Sequence, residues 1–390
     1  MWVIIAFLLP IFKINMQQKS PVSVLVAPLD WGLGHATRCI TIIQELLDQE
    51  AQVIIAASGP QRYLLQEVFP GLECLEIPGY QIRYNSGVFF KWGIFLRIPR
   101  LLNRIKEENR WLARLLEIRS FDAVISDNRY GLHNQKLISV FVTHQLYIQS
   151  GFSEGINRLL LKWHNRLIRK FSVCWIPDQD NGYSISGLLC HPPVAPSIPL
   201  KYIGLLSRFK PLRKHLIPNT VLILISGPEP QRSNFEKIVL KQLQASTVKA
   251  TLVRGLPGND SSLMTMPKDA RVYNHLPPGQ LNELISESEF IITRSGYSSI
   301  MDLLRLKRNA ILVPTPGQTE QEYLGKYLNE KNWMCTVNEN TFNLPAALKL
   351  YTQRKFSMPE IADSLLSATV TGFLDKLAEQ KHPRHLHSIS

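Results

Sequence analysis

A histidine set directly behind two glycines is the first place in this chain where chemistry can be expected. The stretch Asp30-Trp31-Gly32-Leu33-Gly34-His35-Ala36-Thr37-Arg38 follows an apolar, strand-like run over residues 22–28 and opens an apolar-periodic helix over 37–48. Glycines at 32 and 34 let the backbone pass through φ > 0 and come close to a ligand. The partial positive charge of a helix N-terminus disfavours imidazolium, so His35 is held neutral, the form a general base needs. The plainer use of such a histidine is as a hydrogen-bonding cap. The spacing is not a dinucleotide fingerprint, because G-x-G-x-x-G would require a glycine at 37. Asp127 lies at the end of another strand, 123–126, and would face the same cleft. A carboxylate there can orient the histidine or bind a hydroxyl. The next strand ends in Thr143-His144-Gln145, where His144 reads as structural.

The second half of the chain offers phosphate seats. Residues 290–293 form an apolar strand that runs into Arg294-Ser295-Gly296, then a helix. A second strand (310–313) and a Pro/Gly turn follow, then a helix with acidic and amide residues in its first turn. Backbone N–H groups at Ser295 and Gly296 would stand free at a helix start, where anions bind. Asp302, six residues after Gly296, is placed to accept hydrogen bonds from a ribose. A comparable turn, Ser226-Gly227-Pro228-Glu229-Pro230-Gln231-Arg232, ends the strand at 221–225, with Arg232 at hand to neutralise phosphate. His275-Leu276 follows another strand and would border a base pocket. For each of these residues the bland reading is a turn glycine or a solvated helix side chain.

Holding these turns at one edge takes a parallel sheet. Strands and helices alternate through the first half (22–28, 37–48, 53–57, 60–69, 123–126, 140–143, 174–176) and again from 221 to the end, with the last helix at 361–377. This alternation predicts α/β structure with two doubly wound Rossmann-like domains facing a central cleft. Between them, prolines at 192, 193, 196, 199, 211 and 218 mark a linker. The expected boundaries are an N-terminal extension at 1–20, a first domain at 21–190, a linker at 191–218, a second domain at 219–378 and a disordered tail at 379–390. The apolar run 2–12 is too short to span a bilayer, which takes about 20 residues, and it lacks a basic flank. Met16 reads as the working start.

A chain of 390 residues with net charge +13 favours an anionic partner. The five cysteines show no CxxC spacing, so neither a zinc site nor a disulfide framework is expected and a reducing cytoplasm fits. Residues 89–119 carry eight Lys/Arg against three Glu, with Trp92, Phe95, Leu96, Leu101 and Leu102 available for an apolar face. Residues 157–171 carry five Lys/Arg and no acid. Basic amphipathic segments of this kind suit an anionic membrane surface. Nucleic acid is not expected, since RNA-binding signatures are absent.

Together these residues resemble the GT-B glycosyltransferases, and within them the family-28 type that includes the lipid-II-forming N-acetylglucosaminyltransferase. The likeness covers most of residues 22–376. It implies an inverting, metal-independent glycosyltransferase, using a nucleotide-diphosphate sugar such as UDP-GlcNAc and an acceptor hydroxyl that can be lipid-linked. The resemblance makes Gly34 and His35 the first glycine turn and proposed base, Ser226-Gly227 the donor-phosphate turn, and Arg294-Ser295-Gly296 with Asp302 the phosphate and ribose contacts. It places Gln318, Gln321 and Glu322, in the segment from Pro314 to Tyr323, against donor sugar and phosphate. The chain has Gly-Leu-Gly-His-Ala-Thr-Arg where that type has Gly-Gly-His-x-x-Pro, Asp302 for a glutamate, and Gln321-Glu322 for paired glutamines. An uncharacterised relative is therefore expected, cytoplasmic or peripheral on the inner face of the membrane. Asp178-Gln179-Asp180 has a D-x-D form used by some sugar-nucleotide enzymes for a cation, but here it reads as a surface turn. No cofactor or metal is demanded. The rival readings are a sugar-nucleotide 2-epimerase of the same fold and a non-catalytic basic membrane-surface protein.

Overall fold

A computed structural model of the protein describes residues 21–80, 89–180, 182–256, 270–362 and 364–381, with 89–98 described by backbone alone. The 1–20 extension, most of the expected tail, and the side chains of Trp92, Phe95 and Leu96 lie outside the described residues.

The first lobe runs β1 (Ser23–Pro28), α1 (Leu33–Asp48), β2 (Gln52–Ala57), α2 (Gly59–Val68), β3 (Cys74–Glu76), α3 (Phe89–Ile118) and β4 (Ala123–Asp127). It continues with β5 (Ile138–Val142), α4 (Glu154–Ile168), β6 (Val173–Ile176) and β7 (Leu200–Tyr202). Its seven strands lie in the order β3-β2-β1-β4-β5-β6-β7, and every pairing is parallel. Near-continuous apolar runs such as Val24–Val26, wholly buried, are what a sheet covered on both faces requires. The second lobe opens with β8 (Ile217–Leu224), α5 (Gln231–Gln244), β9 (Lys249–Val253), β10 (Ala270–Tyr273) and α6 (Pro278–Glu287). β11 (Ser288–Thr293), α7 (Tyr297–Arg305), β12 (Ile311–Leu312), α8 (Thr319–Glu330), β13 (Cys335–Thr336) and α9 (Leu344–Thr352) complete it. Its six-stranded order is β10-β9-β8-β11-β12-β13.

Each strand order reverses direction at one place. In the first sheet the reversal falls between β1 and β4, where Pro28 stands beside Asp127. In the second it falls between β8 and β11, where Leu224 stands beside Thr293. A crevice opens at such a switch point because the helices leave in opposite directions, and ligands bind there. The turns bearing His35 and Asp127, and those bearing Ser226-Gly227 and Ser295-Gly296, sit at these two crevices.

Two boundaries differ from the sequence expectation. The proline-rich stretch contains β7, and beyond it Ile203, Leu206 and Phe209 are buried rather than solvated. Their apolar packing outweighs the local turn composition. The last helix, α10 (Leu365–Lys381), returns to the first lobe: Phe373 meets Trp175 edge-on at 5.2 Å, and Lys381 Nζ lies 2.7 Å from Asp122 Oδ2. One apolar cluster runs through α1, α7 and α10 and so joins the lobes. Leu101 of the basic helix α3 packs with Ile105, Leu167 and Trp163, so part of its apolar face is covered by α4. Replacing Phe373 by Ala is expected to lower unfolding free energy by about 3 kcal/mol, read from denaturant midpoints.

Candidate active site

Burial decides the character of the first crevice. Asp127 and Arg38 are almost fully buried, and a buried charge must be paired and hydrogen-bonded. Arg38 Nε donates to Asp127 Oδ2 at 2.7 Å, and Nη2 donates to Oδ1. This bidentate fork gives each carboxylate oxygen a charge-assisted donor. Burial alone would raise the Asp127 pKa, but Arg38 and then His35 bring it down to about 2. His35, in the first turn of α1, places Nδ1 3.1 Å from Asp127 Oδ2 and 2.7 Å from Arg38 Nη2. Burial, then the Arg38 charge, lowers the His35 pKa, while Asp127 opposes. The balance of these effects favours the neutral imidazole.

Arg38 also reaches His144, with Nη1 3.3 Å from Nδ1. His144 Nε2 in turn lies 2.7 Å from Glu320 Oε1, across the cleft on α8. The His144 ring stacks on Tyr297 at 4.0 Å. A chain of polar groups thus runs from His35 and Asp127 in the first lobe to Glu320 in the second. The lobes also touch where the two glycine turns meet, since Ser298 Oγ donates to the carbonyl of Gly34 at 3.0 Å. A Cβ on Gly34 would lie 2.8 Å from that hydroxyl, so a larger residue there would displace the Ser298 contact. Positive φ, expected at both glycines, is found at Gly32 (77°).

In the second crevice, Ser295 Oγ donates to the carbonyl of Gln321 at 2.8 Å and ties the two strand-to-helix turns together. Gly296 precedes α7 with φ of −72°, a value open to any residue, and a Cβ there would meet nothing within 4 Å. Neither conformation nor packing demands a glycine, and the helix start is open beside it. Gly227 has φ of 114° in an exposed turn beside Ser226. Gln321 accepts from the Thr315 N–H at 2.9 Å and donates to Gln318 at 2.6 Å, and Glu322 accepts from the Gly317 N–H at 2.8 Å. These three side chains brace their own turn, whereas Glu320 reaches across the cleft to His144. Leu276 is buried in the apolar cluster, whereas His275 Nε2 is buried without a hydrogen-bond partner, 3.9 Å from Glu67 of the first lobe.

Two arginines depart from the phosphate role expected of them. Arg232 pairs with Glu229 at 2.6 Å and with buried Glu236 at 2.7 Å. Arg294 is wholly buried, pairs with Glu339 and lies over the Phe235 ring at 4.2 Å. Both guanidiniums turn inward because a partner carboxylate awaits them there. Sequence reasoning missed a third, Arg208, in the proline-rich stretch. Its Nε and Nη1 are buried without hydrogen-bond partners, and Asp302 and Glu67 counter the effect of burial on its charge. Asp302 accepts from Ser207 Oγ at 2.6 Å, and burial raises its pKa to about 6 against the pull of Arg208. Ser298 and Asp302, four residues apart on α7, share the helix face turned to the seam. The only signal for Arg38 was its place three residues after His35, on the same helix face. Asp178 is not the surface residue expected: it is buried, and its carboxylate takes up Ser184, Ser186 and backbone N–H groups of its own loop. Among the described residues no group of three or more His, Cys, Asp or Glu is arranged to hold a metal ion.

Known proteins share part of this sequence and its fold. Residues 241–372 match the model of the glycosyltransferase family 28 C-terminal domain. An uncharacterized glycosyltransferase of Methanosarcina acetivorans is 25% identical over 333 residues, covering 80% of this chain and 84% of that protein. Among solved structures, the spinosyn rhamnosyltransferase SpnG complexed with thymidine diphosphate superposes with a TM-score of 0.58 at 14% identity, covering 91% and 96% of the two chains. MurG of Acinetobacter baumannii superposes at 0.50 with 14% identity, covering 92% and 95%.

The Asp127 pairing has a pH signature. Its folded pKa is depressed from 3.8 to about 2, so its contribution is complete above pH 4 and is lost as pH falls through 2. Between pH 5 and 2 the wild-type chain is expected to lose about 2 kcal/mol more unfolding free energy than Asp127→Asn, measured by urea denaturation at each pH.

Proposed function

Taking as premise that this chain is a glycosyltransferase of the GT-B fold, we propose that it moves a sugar from a nucleoside-diphosphate sugar on the second lobe to an acceptor hydroxyl on the first. The observation that carries this reading is the Ser298–Gly34 contact, which sets the base candidate His35 against the open start of α7. His35, backed by Asp127, takes the proton of the acceptor hydroxyl. The sugar's anomeric carbon is attacked from the first lobe while the diphosphate departs toward the second. A single displacement of this kind inverts the anomeric configuration.

The leaving diphosphate gains negative charge as the bond breaks. Backbone N–H groups at the α7 start and the 226–227 turn face that charge, with Arg208 as the cation. Fixed donors in a water-poor site stabilise developing charge without reorganising, so this machinery works without a metal. Asp302 accepts from the ribose hydroxyls, and Glu320 with the 318–322 turn borders the sugar. The nucleotide is a pyrimidine diphosphate, with uridine diphosphate as our choice. The thymidine diphosphate held by SpnG supports this class. The basic outer face of α4, with Arg158, Lys162 and Arg166 around exposed Leu159, suits an acceptor presented at an anionic membrane surface.

His35→Ala is expected to lower turnover by roughly 10²–10⁴ while leaving nucleotide affinity near that of wild type; undiminished turnover would remove His35 as base. Arg208→Met should weaken uridine diphosphate binding by roughly 10–100-fold, about 1.5–3 kcal/mol for a charge-assisted contact, in calorimetry. Because the Asp302 carboxyl titrates at about 6, affinity should fall as pH drops below 6, and Asp302→Asn should be weak but flat with pH. Incubation with the sugar nucleotide alone separates the epimerase reading, which requires a changed sugar without any acceptor.

A further inference from the structure

The Arg38 guanidinium makes more contacts than an anchor for Asp127 needs. Two of its N–H groups hold the carboxylate. A further Nη2 hydrogen points at His35 Nδ1 at 2.7 Å, and Nη1 points at His144 Nδ1 at 3.3 Å. A guanidinium has only donors, so each ring nitrogen facing it must offer a lone pair. For His144 this puts the proton on Nε2, where it donates to Glu320 at 2.7 Å. For His35 it also puts the proton on Nε2. That is the wrong tautomer for a base acting through Nε2, which would need Nδ1–H donating to Asp127 Oδ2 at 3.1 Å. One Nδ1 cannot serve both neighbours.

We propose that Arg38 is a positioning residue that selects the imidazole tautomers of His35 and His144, holding His35 as the Nε2–H form in the substrate-free protein and arming it only when Nη2 releases Nδ1. The inference rests on the reading of His35 as the base. On release, Nδ1 gains a proton and donates it in a hydrogen bond to Asp127, while Nε2 gives one up to solvent. The ring is neutral before and after, and no net proton is taken up. The groups facing this imidazole are Arg38 on its own helix, Asp127 at the end of β4 and His144 after β5, with Glu320 of α8 beyond His144. The contact between His144 and Glu320 crosses the cleft, so a ligand that engages Glu320, or a separation of the lobes, changes one end of a hydrogen-bonded chain whose other end is His35 Nδ1. Sequence spacing agrees with this role, since residues three apart on a helix share a face.

The test reads tautomers directly and needs no substrate, so it can fail while the glycosyl-transfer reading stands, and the reverse. The full chain is labelled with ¹⁵N-histidine, His35 and His144 are assigned through His35→Gln and His144→Gln, and long-range ¹H–¹⁵N spectra are recorded across pH. Wild-type His35 and His144 should both show the Nε2–H pattern. In Arg38→Met, His35 should change to Nδ1–H and titrate roughly one to three pH units higher, since a cation is lost and Asp127 is left facing it. Should Arg38→Met not fold, Arg38→Lys keeps the charge but not the fork, and His35 should still change tautomer. An Nδ1–H pattern for His35 in the wild-type protein, or an unchanged pattern in whichever variant folds, overturns the proposal.

Discussion

The buried fork between Arg38 and Asp127 is the interaction on which the rest of the site depends. Removing either partner leaves a charge in the interior, at a cost of several kcal/mol. The pair therefore fixes the α1 start against the end of β4, at the place where the strand order of the first sheet reverses. His35 gains its orientation from that fixed frame, and its low proton affinity from burial and the same guanidinium. His144, on the other side of the fork, carries the connection across the cleft to Glu320.

The seam between the lobes is built of hydroxyl and ring contacts rather than apolar surface alone. Tyr297 donates to the carbonyl of Pro177 at 2.6 Å and Tyr327 to that of Ser184 at 2.8 Å, while the Tyr323 hydroxyl accepts from the Leu188 N–H at 2.9 Å. All three reach the loop after β6, whose shape is set by the buried Asp178 carboxylate. Thr319 donates to the carbonyl of Gln149 at 2.6 Å, beside the His144–Glu320 contact. Hydrogen bonds of this kind are directional and individually modest, about 1 kcal/mol net. They fix the register of the two lobes across the seam. The return of α10 to the first lobe adds the apolar clamp.

Much of this was legible in the sequence because strand–turn–helix units have a local signature. Apolar runs ending in Gly-Leu-Gly-His, Ser-Gly-Pro and Arg-Ser-Gly located both crevices, and parallel topology then placed Asp127 beside His35. What could not be read was where long side chains turn. Arg232 and Arg294 stand next to phosphate-type turns, yet their forks point to Glu236, Glu229 and Glu339, the last 45 residues away from Arg294. Arg208 was hidden among prolines that read as a linker, although buried Leu206 and Phe209 flank it. In the first turn of α8, adjacent residues point about 100° apart, so Glu320 faces the cleft while Gln321 and Glu322 hold the turn. The DxD-like stretch misled in its exposure, since a carboxylate taking up its own loop's donors leaves no mark in composition.

In the proposed reaction the leaving diphosphate sits at the α7 start, under Arg208 and opposite His35. A crystal structure of the chain with uridine diphosphate tests it most directly. Phosphate oxygens are expected within hydrogen-bond distance of backbone N–H groups at 296–298 and of the Arg208 guanidinium, with the ribose on Asp302. Density for the diphosphate against Arg232 or Arg294, or anywhere away from the seam between Gly34 and Ser298, would contradict it.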